Sequence, residues 1–263
     1  MDKVQAETLS LKIKEWVSQA QGRFSYHDLD KELNIQSSEG KSARRVIMFR
    51  LCQDGLCRRD IKLNGVFWRI QDEASIIQWE NADITNIIPV KWPFGLENLV
   101  LMYPKNIAIV AGTFNAGKTA LCLNFIQMNM HDPILAEKGL LPIVYFNSEM
   151  GAEEMKVRIS KFGDSDWAFE ARERSSNFSE VIRPNQINVI DYLEVTTDFF
   201  MIAEELTRIF NKLNKGMCLI ALQKKQGADF GRGAEFSLEK PRLYLSMDTG
   251  QMKIIKAKNW AVE

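Results

Sequence analysis

The sequence predicts an α/β protein: a mainly parallel β-sheet flanked by helices, preceded by a small winged helix-turn-helix domain. Three observations predict it. From about Pro104 onward, short apolar runs alternate with helical patterns, and strands alternating with helices build a parallel sheet covered on both faces. The stretch 112–119, GTFNAGKT, fits G-x-x-x-x-G-K-[ST] and lies between a strand-like run and a helix-like run. Residues 1–72 have a different texture, with three helical stretches followed by two strand-like runs around a tight turn. The resulting division is 1–72 for the small domain, 73–98 for a linker and 99–263 for the large domain.

In the first part, Leu9, Ile13, Trp16, Val17 and Ala20 recur at helical spacing, and Gly22 ends that helix. Ser25 with Asp28 has the pattern of a capping box for a second short helix reaching Leu33. A third helix is expected from Lys41 to about Gln53, with Val46, Phe49 and Leu51 facing inward and Gly55 ending it. Residues 56–61 and 65–70 then read as two strands joined by the turn Asn64-Gly65. Lys41, Arg44, Arg45, Arg50, Arg58, Arg59, Lys62 and Arg69 fall on the third helix and the hairpin, opposed between 41 and 70 only by Asp54 and Asp60. All but Arg69 are taken as candidate DNA contacts: a basic third helix suits a major groove, and a basic hairpin suits phosphates. The plainer alternative is a solvated basic face on a protein-interaction domain.

Residues 73–98 read as a linker that becomes an edge, broken by Pro89 and Pro93, with Trp79 and Trp92 expected to pack on the large domain. The apolar runs that follow are 107–111, 142–146, 187–190, 217–222, 242–247 and 252–257. The clearest intervening helix turns Phe199, Ile202, Ala203, Leu206, Ile209 and Phe210 inward, with Gly216 after its end. Asp248-Thr249-Gly250 links the last two runs, which are expected to form an antiparallel hairpin at one edge.

Bulk composition narrows the classes further. The 34 basic residues balance 34 acidic ones in 263 positions, so any nucleic-acid surface must be local. No apolar run approaches the roughly 20 residues of a membrane span, and the start lacks a secretory apolar core. A cytoplasmic protein without a membrane partner is expected. Cys52, Cys57, Cys122 and Cys218 lie in or beside apolar runs without a C-x-x-C pair. They read as small buried hydrophobes of a reducing compartment.

The 112–119 loop carries the chemistry. Gly112 and Gly117 let the backbone curl so that its N–H groups surround phosphate oxygens. The binding set is Gly112, Thr113, Asn115, Ala116, Gly117, Lys118 and Thr119. The helix that starts at Lys118 turns its positive dipole end toward the anion. Lys118 supplies charge to the β/γ phosphates of ATP and Thr119 a hydroxyl to Mg²⁺. Ligands of an open parallel sheet bind at the carboxyl ends of its strands, where three other apolar runs deliver Glu149, Asp191 and Gln223. Glu149 suits the activation of an attacking water, Asp191 suits Mg²⁺, and Gln223 suits sensing of the γ-phosphate. A small-molecule kinase would share the loop, yet the chain has no clear acceptor-binding lid.

In this order the motifs resemble those of the RecA/DnaB-like P-loop ATPase family, over about residues 90–260. FNSEM looks like the segment after that family's second core strand, which implies that Glu149 is the catalytic base. INVIDYLEV resembles its Walker B strand, with Asp191 as the acid, and LIALQKK the strand ending in its sensor glutamine, Gln223. KAKNW resembles its closing basic motif, which implies that Lys256 and Lys258 reach a nucleotide across a subunit interface. Trp260 stands where a second basic residue of that motif is usual. The resemblance also places a DNA-binding loop after Gln223, with Lys224, Lys225 and Arg232. It implies an ATP-dependent DNA-binding protein that assembles head to tail as a homo-oligomeric ring or filament, on single- or double-stranded DNA, in replication, recombination or a mobile element. The alternative is an ATP-gated regulator or loader whose N-terminal domain binds an operator or a protein.

Overall fold

The computed structural model describes residues 3–20, 22–70, 77–163, 166–193 and 200–261. They belong to two compact units, Met1–Ala82 and Asp83–Glu263.

The first unit runs α1 (Lys3–Gln19), β1 (Arg23–Ser25), α2 (Tyr26–Glu32), α3 (Ser38–Gln53), β2 (Cys57–Arg59) and β3 (Val66–Arg69). Its core gathers Ile13 and Val17 of α1, Leu29 of α2, Ile47, Met48 and Leu51 of α3 and Phe67 of β3. The capping box at Ser25 is formed: the Asp28 amide donates to Ser25 Oγ at 3.3 Å, and the Ser25 amide donates to Asp28 Oδ2 at 2.7 Å. Gly65, at φ 76°, takes the left-handed conformation that the hairpin turn requires.

Two expectations for this unit are corrected. The sheet has three antiparallel strands in the order β1-β3-β2 rather than two, because Phe24 of β1 pairs with Phe67 and is buried beside it. A three-residue strand is too short to show a period. The inward stripe of α3 is Arg44, Ile47, Met48 and Leu51, whereas Val46 and Phe49 are each 51% exposed. Arg44 is buried because it forms an ion pair with Asp30, lies over the Tyr26 ring at 4.1 Å and donates to the Tyr26 carbonyl at 3.3 Å. One compensated charge in the apolar stripe therefore misled the helical pattern, and Arg44 is not available to DNA.

The second unit contains β4 (Ile107–Gly112), α4 (Lys118–Asn129), α5 (Pro133–Glu137), β5 (Ile143–Asn147), α6 (Ala152–Ser160), β6 (Phe169–Glu173), β7 (Ile187–Asp191), α7 (Phe200–Lys212), β8 (Met217–Gln223), β9 (Leu243–Asp248) and β10 (Gln251–Ala257). The result is an α/β unit with a seven-stranded, mostly parallel sheet in the order β10-β9-β4-β8-β7-β5-β6. Only β9 and β10 are antiparallel, in the expected edge hairpin. Successive residues of β4 enter opposite layers. Ala108 and Val110 pack with Leu121, Phe125 and Ile126 of α4, whereas Ile107, Ile109 and Ala111 pack with Ile202, Leu206 and Ile209 of α7. Strands buried on both faces read as unbroken apolar runs, which is why their positions were legible. Of the residues expected inward on α7, Phe199 lies outside the described residues.

The strand β6, FEARE, was not expected. It is an edge strand whose charged side chains protect an open flank. The expected linker is also shortened. Ile88, Val90, Trp92, Leu96, Val100 and Met102 are buried in the α4-side core, and the Trp92 ring lies 4.7 Å from Phe125. Trp92 packs as expected, whereas Trp79 is 72% exposed.

Candidate active site

Strand register brings the chemistry to one end of the sheet. Gly112 stands opposite Gln223, and Asn147 opposite Asp191. The 112–119 loop leaves β4 there and enters α4. A Cβ at Gly112 would meet Lys118 Cγ at 2.8 Å, so any side chain there would displace Lys118. Asn115 (φ 60°) and Gly117 (φ 95°) turn the loop through the left-handed region. Gly117 is the N-cap of α4 and provides no side-chain acceptor, so the opening amides of the helix are not consumed by a capping side chain.

The cleft beside this loop has a volume of about 530 Å³ and is lined by Asn115, Gly117, Lys118, Thr119, Glu149, Asp191 and Gln223, together with Phe114, Ala120, Arg158, Tyr192 and Arg232. Lys118 Nζ donates to the carbonyls of Gly112 (3.2 Å) and Thr113 (3.0 Å) and to Gln223 Oε1 (3.0 Å). Burial lowers its pKa, opposed by the charges of Asp191 and Glu149. The Thr113 amide is occupied by the Met247 carbonyl at 3.2 Å, and the Ala116 amide by the Thr113 carbonyl at 3.2 Å.

Asp191 is 4% exposed. Its Oδ2 accepts from the Tyr145 hydroxyl at 2.8 Å, and it is also hydrogen-bonded to Thr119. Burial raises its pKa, while these two hydrogen bonds and Lys118 act against that rise. Glu149 is exposed and follows a turn held by the buried Asn147. Asn147 Oδ1 accepts from the amides of Glu149 (3.2 Å) and Met150 (3.1 Å), and its Nδ2 donates to the Met150 carbonyl. Arg158 is bound to Glu154 Oε1 through Nε at 3.1 Å and Nη2 at 2.8 Å.

Tyr145, Asn147 and Arg158 escaped the sequence reading. Tyr145 was legible only as the one hydroxyl in an apolar strand, and Asn147 only as the polar residue that ends it. Arg158 sits on a helix with no pattern that points to a cleft. Chemically, the cleft combines amide donors and a cation suited to an anion with hard oxygens suited to a hard cation. Among the described residues, no group of three or more His, Cys, Asp or Glu could hold a metal. The adjoining oxygens of Asp191 and Thr119 fit Mg²⁺ if its other ligands are water and phosphate oxygens.

Two expected members lie elsewhere. Lys256 pairs in register with Tyr244, near the start of β9, and its Nζ donates to the Leu238 carbonyl. Burial lowers its pKa. Because β10 runs back against β9, Lys256 and the exposed Lys258 come to the end of the sheet remote from the 112–119 loop. Neither joins this chain's own cleft.

The segment after Gln223 is pinned at its base. Lys224 bridges to Gly231, and the Arg232 amide donates to the Gln223 carbonyl at 2.7 Å. Lys224 is not exposed as expected: its Nζ is buried among Asp248 Oδ2 (2.7 Å), Ser246 Oγ (2.8 Å) and the Ala228 carbonyl (2.9 Å). Lys225 and Arg232 are exposed, and both border a 340 Å³ apolar recess that contains Phe230 and Phe236. Arg232 lines this recess and the cleft alike.

In the first unit, Arg45, Arg59 and Lys62 line a groove of about 690 Å³. Asp60, in the same groove, accepts from Trp68 Nε1 at 2.9 Å and from the amides of Lys62 (2.9 Å) and Leu63 (3.0 Å). These bonds hold its carboxyl below the usual range. Lys41, Arg50 and Arg58 are exposed outside the groove. No described helix is long and apolar enough to cross a membrane. No protein-family model matches the chain, and no curated protein matches it either.

Proposed function

We propose that the second unit is a RecA/DnaB-like, Mg²⁺-dependent ATPase and that the first is a winged helix-turn-helix that engages DNA, the whole assembling as a homo-oligomer on that DNA. The observation that carries the reading is the convergence of Lys118, Thr119, Glu149, Asp191 and Gln223 on one cleft from four strand ends. In this reading Lys118 exchanges the carbonyls of Gly112 and Thr113 for β- and γ-phosphate oxygens. Asp191 and Thr119 hold Mg²⁺, which neutralises charge on the transferring phosphoryl group. Glu149 accepts the proton of the attacking water from the open side of the cleft. Gln223, freed from Lys118, reports the γ-phosphate to the segment that carries Lys225 and Arg232.

The DNA surface consists of Lys41, Arg45, Arg50, Arg58, Arg59 and Lys62 in the first unit and Lys225 and Arg232 in the second. Lys258, being exposed, is the residue that reaches a neighbouring subunit's nucleotide. Lys256 supports it from within the hairpin.

Calorimetry with Mg-ATP, on wild type and Lys118→Ala, tests the cleft. Uptake by wild type that is lost in the variant supports the reading, and no uptake by wild type overturns it. Hydrolysis measured with and without DNA tests the coupling, and no stimulation by any DNA removes that part. Footprinting separates assembly along DNA, which protects in proportion to length, from a nucleotide-gated regulator, which protects one discrete site.

A further inference from the structure

The Sγ atoms of Cys52 and Cys57 lie 3.1 Å apart, and both are free thiols. Cys52 belongs to the last turn of α3, and Cys57 opens β2. Only Gln53, Asp54, Gly55 and Leu56 separate them, and Gly55 makes the reversal at φ 77°. The turn is held by the Asp54 amide on the Arg50 carbonyl (2.8 Å) and the Leu56 amide on the Leu51 carbonyl (3.0 Å). Bonded sulfurs stand about 2.05 Å apart, so a shift of about 1 Å joins this pair without unfolding the turn.

We propose that Cys52 and Cys57 are a reversible redox pair, closed to a disulfide by a peroxide and reopened by a thiol reductant. The two sulfurs have different roles. Cys52 is half-buried and meets the oxidant, whereas Cys57 is 1% exposed. Burial and the neighbouring Cys52 push the Cys57 thiol up to about 12, which disfavours it as the sulfur that meets the peroxide. The Cys52 thiolate attacks one peroxide oxygen, breaking the O–O bond and leaving a sulfenic acid and hydroxide. Cys57 sulfur then attacks the Cys52 sulfur. The S–O bond breaks, and the departing hydroxide takes the Cys57 proton as water. Two thiols and one hydrogen peroxide become one disulfide and two waters, with two electrons passing from sulfur to oxygen.

So short a ring adds less loop-closure entropy to stability than a long one, which suits a pair that changes state better than a permanent staple. The consequence is local to the basic surface. Arg58 and Arg59 follow Cys57 directly, and Arg59 lies over the Phe49 ring of α3 at 5.9 Å. Closing the bond ties the end of α3 to the strand that carries both arginines. Cys122 and Cys218, each 0% exposed in the second unit, serve as internal controls.

The test is oxidation of the full native chain with hydrogen peroxide, followed by removal of the peroxide, denaturation in the presence of the alkylating agent and peptide mass mapping without reductant. Alkylation of Cys52 and Cys57 is expected to fall together at least about tenfold, with a loss of two hydrogens on the peptides that hold them and recovery with dithiothreitol. Cys57→Ser is expected to stop at a Cys52 sulfenic acid that a dimedone probe traps, and Cys52→Ser to leave Cys57 unmodified. Undiminished alkylation of both thiols after peroxide treatment of the folded protein, a disulfide that forms only when the oxidant is added in denaturant, or a bond between chains would each overturn the proposal. None of these readouts depends on nucleotide or DNA.

Discussion

Tyr145 illustrates how much one buried hydroxyl decides. It is fully buried and has Asp191 Oδ2 at 2.8 Å. The bond restrains the rotation of the carboxylate, which is also hydrogen-bonded to Thr119 of the loop. Tyr145→Phe strips a donor from a buried acid, and hydrogen bonds to charged groups contribute about 2 kcal/mol. A loss of that order is expected as a lower urea midpoint at unchanged slope. On the proposed reading, Glu149→Gln retains ATP binding and lowers turnover by about 10²-fold. Single-turnover hydrolysis beside a binding titration checks this, and normal turnover removes Glu149 as the base. Asp191 and Gln223 were legible because an apolar strand delivers its next polar residue to a known sheet end, and Glu149 because it follows the same kind of end, two residues beyond Asn147. Arg44 and Lys224 were misread because a basic side chain looks solvent-seeking in sequence. Each is buried against a carboxylate supplied by another element, Asp30 and Asp248.

Elements show the same division between local and distant causes. The capping box of α2 was legible because it needs only residues three apart. Its hydrogen bonds from Ser25 lower the Asp28 pKa. A folded value below the unfolded one, near 4, means that Asp28 contributes fully at neutral pH and that the contribution is lost as pH falls through the depressed value. Amide exchange in α2, corrected for its intrinsic pH dependence, is therefore expected to accelerate below about pH 4. Ser25→Ala, which costs about 1 kcal/mol, should accelerate it already at neutral pH. An exchange rate unaltered by either change removes the cap from the account. Gly216 shows the opposite case. Its place after α7 suggested a helix terminator, yet a Cβ there would lie 2.0 Å from the Gln186 carbonyl oxygen. The three nearest atoms are all backbone atoms of Gln186, so Gly216→Ala must push β8 away from the start of β7. A loss of about 3 kcal/mol is expected from thermal or denaturant unfolding, and a neutral result would contradict this close approach. The strands β1 and β6 were missed because each is defined by its partner rather than by its own pattern.

For the whole molecule, the proposed assembly makes one residue decisive. Lys258 is exposed and remote from its own cleft, so Lys258→Ala is expected to retain ATP uptake while losing cooperative hydrolysis about tenfold or more, as for a charge supplied in trans. Electron microscopy with a non-hydrolysable ATP analogue, with and without DNA, gives the form of the assembly, and monomers under every condition would end the proposal. The layered α/β architecture, the glycine-bearing turn from β4 into α4 and the strand-tip residues were written into the chain itself, because apolar period, glycine placement and caps act over a few positions. The tertiary structure alone decided which cations are free, which linker residues belong to the core, where the edge strands lie, and that Cys52 meets Cys57. Those outcomes depend on which distant group is near enough to neutralise a charge, cover an apolar face or bring two sulfurs together, and no local pattern carries that information.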